Sequence, residues 1–240
     1  MNDLRERAAR NNAAWCDAVC RLHGLDVHLD ERLWWTSSRS PDFYPDAVTL
    51  DPGVAPDEVL IRVDAAAGCS VKDSFATLDL QSAGFRVLFE AQWIGREADD
   101  TGLDHTVLDR TGPGRTGSQA GLSWRPVLDR ADLDAWATAH GEADALLPTV
   151  LAQRDLRLWL ATEGGELRGG LALNRGTAVV GVSNLFATGV DPALVWAGAA
   201  ALGAETFPGL PLVGYEGGAD LVQAQRAGFT SLGPLRIWIR

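Results

Sequence analysis

Ala83-Gly84-Phe85, running on through Arg86-Val87-Leu88-Phe89-Glu90-Ala91-Gln92 to Trp93-Ile94, is echoed near the end of the chain by Ala227-Gly228-Phe229 and a run that closes on Trp238-Ile239. The two glycines lie 144 positions apart, and from glycine to tryptophan one copy counts nine steps and the other ten. One strand bulge or loop residue absorbs such an offset. The pattern predicts two related halves, each ending in a helix, a Gly-Phe turn and a last aromatic strand.

Working outward from the first copy, Ala8, Ala13, Trp15, Cys16, Val19, Cys20 and Leu22 fall on one stripe, which predicts a helix over Leu4 to Leu22 with Gly24 as its stop. Leu33-Trp34-Trp35-Thr36 and Ala47-Val48-Thr49-Leu50 read as short strands around a loop, Ser37 to Pro45, that is aromatic as well as polar. Val59-Leu60-Ile61-Arg62-Val63 reads as a strand. Val71, Phe75 and Leu78 have the spacing of a helix leading to Gly84. From Gly95 to Gly121 apolar periodicity gives way to Asp, Thr, Gly, Pro and Arg, and the domain division predicted is 1–96, a linker over 97–121, and 122–240. Arg110 to Gly117 within that linker is glycine-rich but lacks the Gly-Lys-Ser/Thr of a phosphate loop.

The second half is more regular. Trp124 to Leu128 opens it, Asp132 is read as the cap of a helix that ends at Gly141, and a further helix covers about Ala145 to Gln153. Three strands follow, Leu156–Ala161, Leu167–Leu173 and Ala178–Ala187, joined by turns at Gly164-Gly165 and Asn174-Arg175-Gly176 into an antiparallel meander. Asp191 caps a helix with Pro192 in its first turn and a small-residue face at Gly198, Ala199, Ala200 and Gly203. Pro211–Glu216 is a buried strand, Ala219 to Ala227 a short helix, and Leu235 to Ile239 the last strand.

Composition narrows the function classes. With 240 residues, 46% hydrophobic, the chain can bury a substantial core as one large or two small domains. No apolar run approaches the roughly 20 residues of a membrane span, and Met1 to Arg7 lacks a secretory stretch, so a cytoplasmic location is expected. A formal charge of −11 speaks against sequence-independent binding to nucleic acid. Lys72 is the only lysine; as a lone cation at a predicted helix start it reads as a surface ion pair or a contact for an acidic ligand. Three cysteines, an odd number, predict free thiols. Cys16, Cys20 and His23 share a helical face, but positions seven apart lie about 10 Å along a helix axis. Buried packing is therefore expected there and no metal.

The order of elements from Trp124 to Arg240, closing on Ala227-Gly228-Phe229, resembles the GNAT acyltransferase superfamily. Val59 to Ile94 resembles a partial second copy, as in tandem GNAT-like proteins. The resemblance implies an α/β fold with a mixed, largely antiparallel sheet flanked by helices. It also implies an acyl-CoA or acetyl-CoA donor held where two parallel strands splay apart, here Ala178–Ala187 and Pro211–Glu216. Ser183, Asn184, Leu185, Phe186 and Ala187 would then line the donor wall, with Leu185 and Ala187 offering backbone N–H groups to the carbonyl. Two family features are missing. The pyrophosphate loop is reduced to Gly189 near Asp191, and the tyrosine acid four residues before the Gly of Gly-Phe is Ala224. Tyr215 and Glu216, at a strand end, are the candidates for acid and base; packing and a solvated carboxylate are the alternative reading. Trp34, Trp35 and Trp93 are candidates for a pocket wall between the halves, with Tyr44 and Lys72 as substrate contacts.

Three functions stay open on these residues. The first is transfer of an acyl group to the amine of a small molecule. The second is a non-catalytic fold that binds a ligand or organises a homodimer, which would keep the splayed strands zipped. The third is aminoacyl transfer from a charged tRNA, which would need Arg110, Arg115 and Arg125 to form a basic strip.

Overall fold

In the computed structural model, residues 2–98, 118–119, 121–141 and 148–240 are described. The connector expected over 97–121, with Arg110 and Arg115, and most of the helix expected from Ala145 fall largely outside them.

Every described strand joins one sheet. The first half supplies α1 (Asn2–Leu22), β1 (Val27–Leu29), β2 (Leu33–Thr36), β3 (Ala47–Thr49), α2 (Pro56–Leu60), β4 (Ser70–Asp73) and β5 (Arg86–Arg96). The second supplies β6 (Ser118–Gln119), β7 (Leu122–Pro126), α3 (Arg130–His140), β8 (Leu156–Glu163), β9 (Glu166–Arg175), β10 (Val180–Ala187), α4 (Pro192–Thr206), β11 (Leu212–Glu216), α5 (Gly218–Arg226) and β12 (Thr230–Ile239). Their order is β1-β2-β3-β4-β12-β5-β11-β10-β9-β8-β7-β6. Only β3–β4 and β10–β11 are parallel; the meander β7 to β10 is antiparallel as predicted.

The closing strands have changed places. β5, the end of the first copy, pairs with β11 of the second, and β12 pairs with β4 of the first. The ladder between β5 and β12 has an internal two-fold. Thr230 faces Gly95 as Arg86 faces Ile239, Pro234 faces Gln92 as Glu90 faces Arg236, and Leu235 faces Ala91 at the centre. Each strand bulges once, at Leu88 and at Leu232, the same distance past its glycine. The one-residue offset expected to be absorbed by a bulge is therefore not absorbed. The copies run without insertion, Trp93 is the mate of Ile237, and Ile94 is the mate of Trp238. Because side chains alternate across a strand, the two tryptophans point to opposite faces. Trp93 and Ile237 join the cluster under α1, while Ile94 and Trp238 enter the clusters on the other side. The same symmetry continues outward: Lys72 faces Ile237 as Tyr215 faces Trp93, and Asp73 faces Arg236 as Glu216 faces Gln92.

Helices cover both faces. α1 crosses the middle of the sheet with Ala8, Ala9, Ala13, Trp15, Cys16, Val19 and Cys20 buried, and α3 shares its face through Leu133 and Trp136. α4 and α5 cover the opposite face of the second half. Burial pushes the Cys16 and Cys20 thiols up to about 11 and about 12. Among the described residues no helix is long and apolar enough to cross a membrane.

Four sequence readings are corrected. Val59–Val63 is not a strand: Pro56 sits in the first turn of α2, the Glu58 carboxylate accepts the Ala55 N–H at 2.9 Å, and Ile61 is exposed. Val71, Phe75 and Leu78 do not share a helix. Val71 lies in β4, and the buried Asp73 carboxylate turns the chain by accepting the N–H groups of Phe75 and Leu78 at 3.2 and 2.8 Å. The cap of α3 is Asp129, whose side chain accepts the N–H of Asp132 at 2.9 Å. Where a helix is expected from Ala145 to Gln153, the described residues form a 3₁₀ turn, Pro148–Ala152.

α1 is tied to the sheet by a buried amide pair. Asn174 Nδ2 donates to the Asn11 carbonyl and to Asn11 Oδ1 at 3.2 and 3.0 Å, and Asn11 Nδ2 donates to the Asn174 carbonyl at 3.1 Å. Gly181 makes room, since a Cβ there would lie 2.1 Å from Asn11 Oδ1. Asn174→Ala is expected to cost about 2 kcal/mol in urea unfolding, because Asn11 Oδ1 is left buried without its donor, while Asn11 Nδ2 keeps the backbone carbonyl at position 174.

Candidate active site

β10 and β11 start as a parallel pair and then part. Only Val180–Leu212 and Gly181–Val213 face each other, although both strands continue. The parting begins at Gly214, where a Cβ would stand 2.8 Å from the Val182 carbonyl oxygen. Past that contact β10 bulges. Its pairing with β9 jumps from Ser183–Ala172 to Phe186–Gly170, and Asn184 takes a left-handed backbone with φ of 51°. The bulge takes Asn184 and Leu185 out of register with β9, and both residues line the space beyond it.

The gap opens on a cleft of about 500 Å³ on the α1 face, walled by α1, the Arg39–Pro45 loop, β4, the start of β5, β10 and the end of β11. Of the residues expected at the site, Ser183, Asn184, Leu185, Tyr215, Glu216, Tyr44 and Lys72 line it. Phe186 and Ala187 do not. They rejoin β9 opposite Gly170 and Gly169, and the Phe186 ring packs on Trp136 at 5.5 Å between centroids. Neither Trp34 nor Trp93 forms its wall. Trp34 is fully buried with Nε1 bonded to Asp17 Oδ1 at 3.1 Å, and Trp93 lies under Tyr215 with Nε1 bonded to the Ser74 carbonyl at 2.8 Å. Trp35 stacks on His28, and Arg62 lies over its ring.

The two halves meet at Lys72 and Tyr215. Lys72 Nζ donates to Asn12 Oδ1 at 2.7 Å and sits 4.2 Å from the centroid of the Tyr215 ring, which stands edge-on to Trp93. Lys72 is thus buried in a strand rather than paired on the surface. Next along β11, the half-buried Glu216 carboxyl is pushed up to about 7 by burial and by the negative charge of Asp220, against the favourable N–H of Gly217. Ser183 Oγ is buried at the wall with no hydrogen-bond partner among the described residues.

Among the further residues that line the cleft, the polar Asn12, Cys16 and His140 had been given no place in this site by the sequence reading. His140 stacks on Trp136, and burial lowers its imidazole below the usual range. Asn11 and Asn12 carried a signal, being polar residues inside an otherwise apolar stripe. His140 carried none, since only α3 packing on β10 brings it there.

The loop over the cleft is held from below. The Asp46 carboxylate pairs with Arg39 and accepts the N–H groups of Ser40 and Ser70 at 2.8 and 3.0 Å, while Ser40 Oγ donates to the Tyr44 carbonyl at 2.5 Å. Tyr44 is buried by this, and Phe43, at φ of 71°, projects into solvent.

The start of α4 does not fit a diphosphate. The Asp191 carboxylate caps its own helix by accepting the Ala193 N–H at 3.0 Å, and Pro192 has no N–H to offer. Arg168, beside Gly189, is paired with Glu166 at 2.6 Å. Arg125 is bonded to Asp132 at 2.7 Å.

No protein-family model matches the chain, and no curated protein matches it in sequence. Solved structures do match. A GCN5-related N-acetyltransferase from Kribbella flavida superposes with a TM-score of 0.59 at 16% identity, over 97% of this chain and 95% of that one. A putative acetyltransferase from the GNAT family of Novosphingobium aromaticivorans gives 0.55 at 13% identity, over 92% and 93%. A functionally unknown conserved protein of Staphylococcus epidermidis gives 0.56 at 9%, over 90% and 94%. At these identities the likeness is one of fold.

Proposed function

We propose that this chain, which has the GNAT fold, is an N-acyltransferase that moves an acyl group from a thioester to the amine of a small molecule. The observation that carries this reading is the parting of β10 from β11 after two residue pairs, beside an accessible carboxylate. A fold that only binds a ligand or a second copy has no use for an open ladder at that point.

The acyl carbonyl would lie in the gap with its oxygen toward the backbone amides of the Ser183–Leu185 bulge. The neutral amine, in the cleft, attacks the carbonyl carbon with its lone pair and forms the C–N bond, and the carbonyl π electrons move to oxygen. Amide donors aimed at that oxyanion supply about 3 kcal/mol of the lowered barrier. Collapse breaks the C–S bond and releases thiolate, and the proton of the attacking nitrogen passes to Glu216 directly or through one water. A carboxyl titrating near 7 is matched to that transfer at neutral pH. Holding both reactants in contact supplies much of the remainder.

The closed start of α4 bears on the donor. With no cradle for a diphosphate, the nucleotide of coenzyme A contributes little, and a short pantetheine-like thioester should serve about as well. The test is thiol release by the purified chain from acetyl-CoA and from S-acetyl-N-acetylcysteamine, each with a panel of small amines. Amine-dependent release from both thioesters is expected. Absence of amine-dependent release from either donor across the panel overturns the proposal.

A further inference from the structure

Lys72 is 3% exposed, and its contacts among the described residues are the Asn12 amide oxygen and the Tyr215 ring face. Both are neutral groups. The other cation lining the cleft, Arg39, is already paired with Asp46, whereas Lys72 has no carboxylate partner among the described residues. A buried cation without a counter-charge is costly, and such a cation is normally paired or hydrogen-bonded throughout. Here the shortfall faces a cleft whose walls include Trp15, Tyr44, Leu185 and Ile237.

We propose that Lys72 anchors a carboxylate of the substrate, so that the acceptor is an amino-acid-like amine with an apolar or aromatic body. The inference rests on the acyl-transfer reading only for the amine. It divides the work between symmetry mates. The half whose parallel strands part holds the acyl carbon. The other half keeps Val48 paired with Lys72 and supplies the anchor. Tyr215, the mate of Lys72, forms the face against which the cation is held. The same chemistry would hold the distal carboxylate of a dicarboxylic acyl group; the apolar walls favour the acceptor, and the experiment separates the two.

The test is calorimetric titration of the full chain, without acyl donor, with L-phenylalanine, 3-phenylpropionate, glutarate and L-phenylalaninamide. Phenylalanine and phenylpropionate are expected to bind, and the amide at least about thirtyfold more weakly than phenylalanine, the loss typical when one partner of a buried charge pair is removed. Binding of glutarate alone moves the carboxylate to the acyl group. Asn12→Asp gives Lys72 a carboxylate of its own. It should weaken binding of the carboxylates by a similar factor while keeping the thermal midpoint at or above that of the wild type. Lys72→Met should do the same to binding. The inference is overturned if none of the carboxylates binds, if the amide binds as tightly as the acid, or if Asn12→Asp binds them unchanged. Carboxylate binding without any turnover would remove the acyl-transfer reading and leave the anchor. Turnover that ignores the carboxylate would do the reverse.

Discussion

Glu216→Gln is expected to lower kcat/KM for acyl transfer by about 10²- to 10³-fold while leaving the fold intact, as loss of a positioned base does. The isosteric amide keeps the shape of the β11 end and removes its ability to take a proton. The pH profile discriminates more sharply than the rate. The wild-type carboxyl titrates at about 7 because burial and Asp220 disfavour its charge, and the reaction needs the ionised form. Activity should therefore rise with pH through about 7, and that inflection should be missing from the residual activity of the variant. Stability moves the opposite way. Between the ordinary value of 4.5 and about 7 the folded state holds a proton that the unfolded state has released, so this group's contribution to stability falls as pH rises through that window. In Glu216→Gln that part of the slope should disappear from chemical denaturation measured at pH 4.5 and pH 8. A variant with wild-type kcat/KM, or with the inflection still present, would assign the proton transfer elsewhere.

What could be read from the chain depended on whether the signal was local. The Gly164-Gly165 hairpin, the Asp191-Pro192 start of α4 and the stripe of α1 are set by neighbours a few residues away, and each lies where the pattern put it. The repeated Ala-Gly-Phe endings located β5 and β12. That these strands exchange partners was not readable, because an edge able to pair with β4 can equally pair with β11. The failures were also local signals, but short ones. Val71, Phe75 and Leu78 match a helical period by coincidence, and the parallel partner that makes Ser70–Asp73 a strand lies more than twenty residues back in β3. At the site, Tyr215, Glu216 and Ser183 to Leu185 were reached through the family resemblance, which implies that Ala178–Ala187 and Pro211–Glu216 are neighbours; the strands themselves were legible, their pairing was not. Lys72 and Tyr215 were each picked out alone, and their contact is a property of the two-fold. Trp34 and Trp93 were drawn toward the pocket by their size, and their N–H groups found partners in the core instead.

Gly214→Val tests the link between the closely packed apex and the chemistry beyond it. Strand propensity favours valine over glycine by up to about 1 kcal/mol, so on secondary structure alone the variant should be more stable. The geometry opposes this. Any Cβ at position 214 stands 2.8 Å from the Val182 carbonyl oxygen, a backbone atom that cannot swing aside as a side chain end can. Val182 is held by pairing with Leu173 on β9 and Gly214 by pairing with Ile94 on β5, so the two ladders must be pushed apart where β10 meets β11. Overpacking of this kind costs about 1–3 kcal/mol, and a clash against backbone belongs at the upper end. A net loss of about 2 kcal/mol is therefore expected in urea unfolding, despite the better propensity. The effect on turnover should be larger than unfolding explains. Tyr215 and Glu216 follow Gly214 directly, and moving them about 1 Å away from the Ser183–Leu185 bulge separates the base from the carbonyl site. Displacements of that size cost on the order of 10²-fold in rate. Measured well below the unfolding midpoint, where the variant is still folded, kcat should fall by about that factor with the inflection near pH 7 retained, because the base is displaced and not removed. Wild-type kcat in a variant of lowered stability would show that the Val182–Gly214 contact holds the sheet together without setting the geometry of the gap.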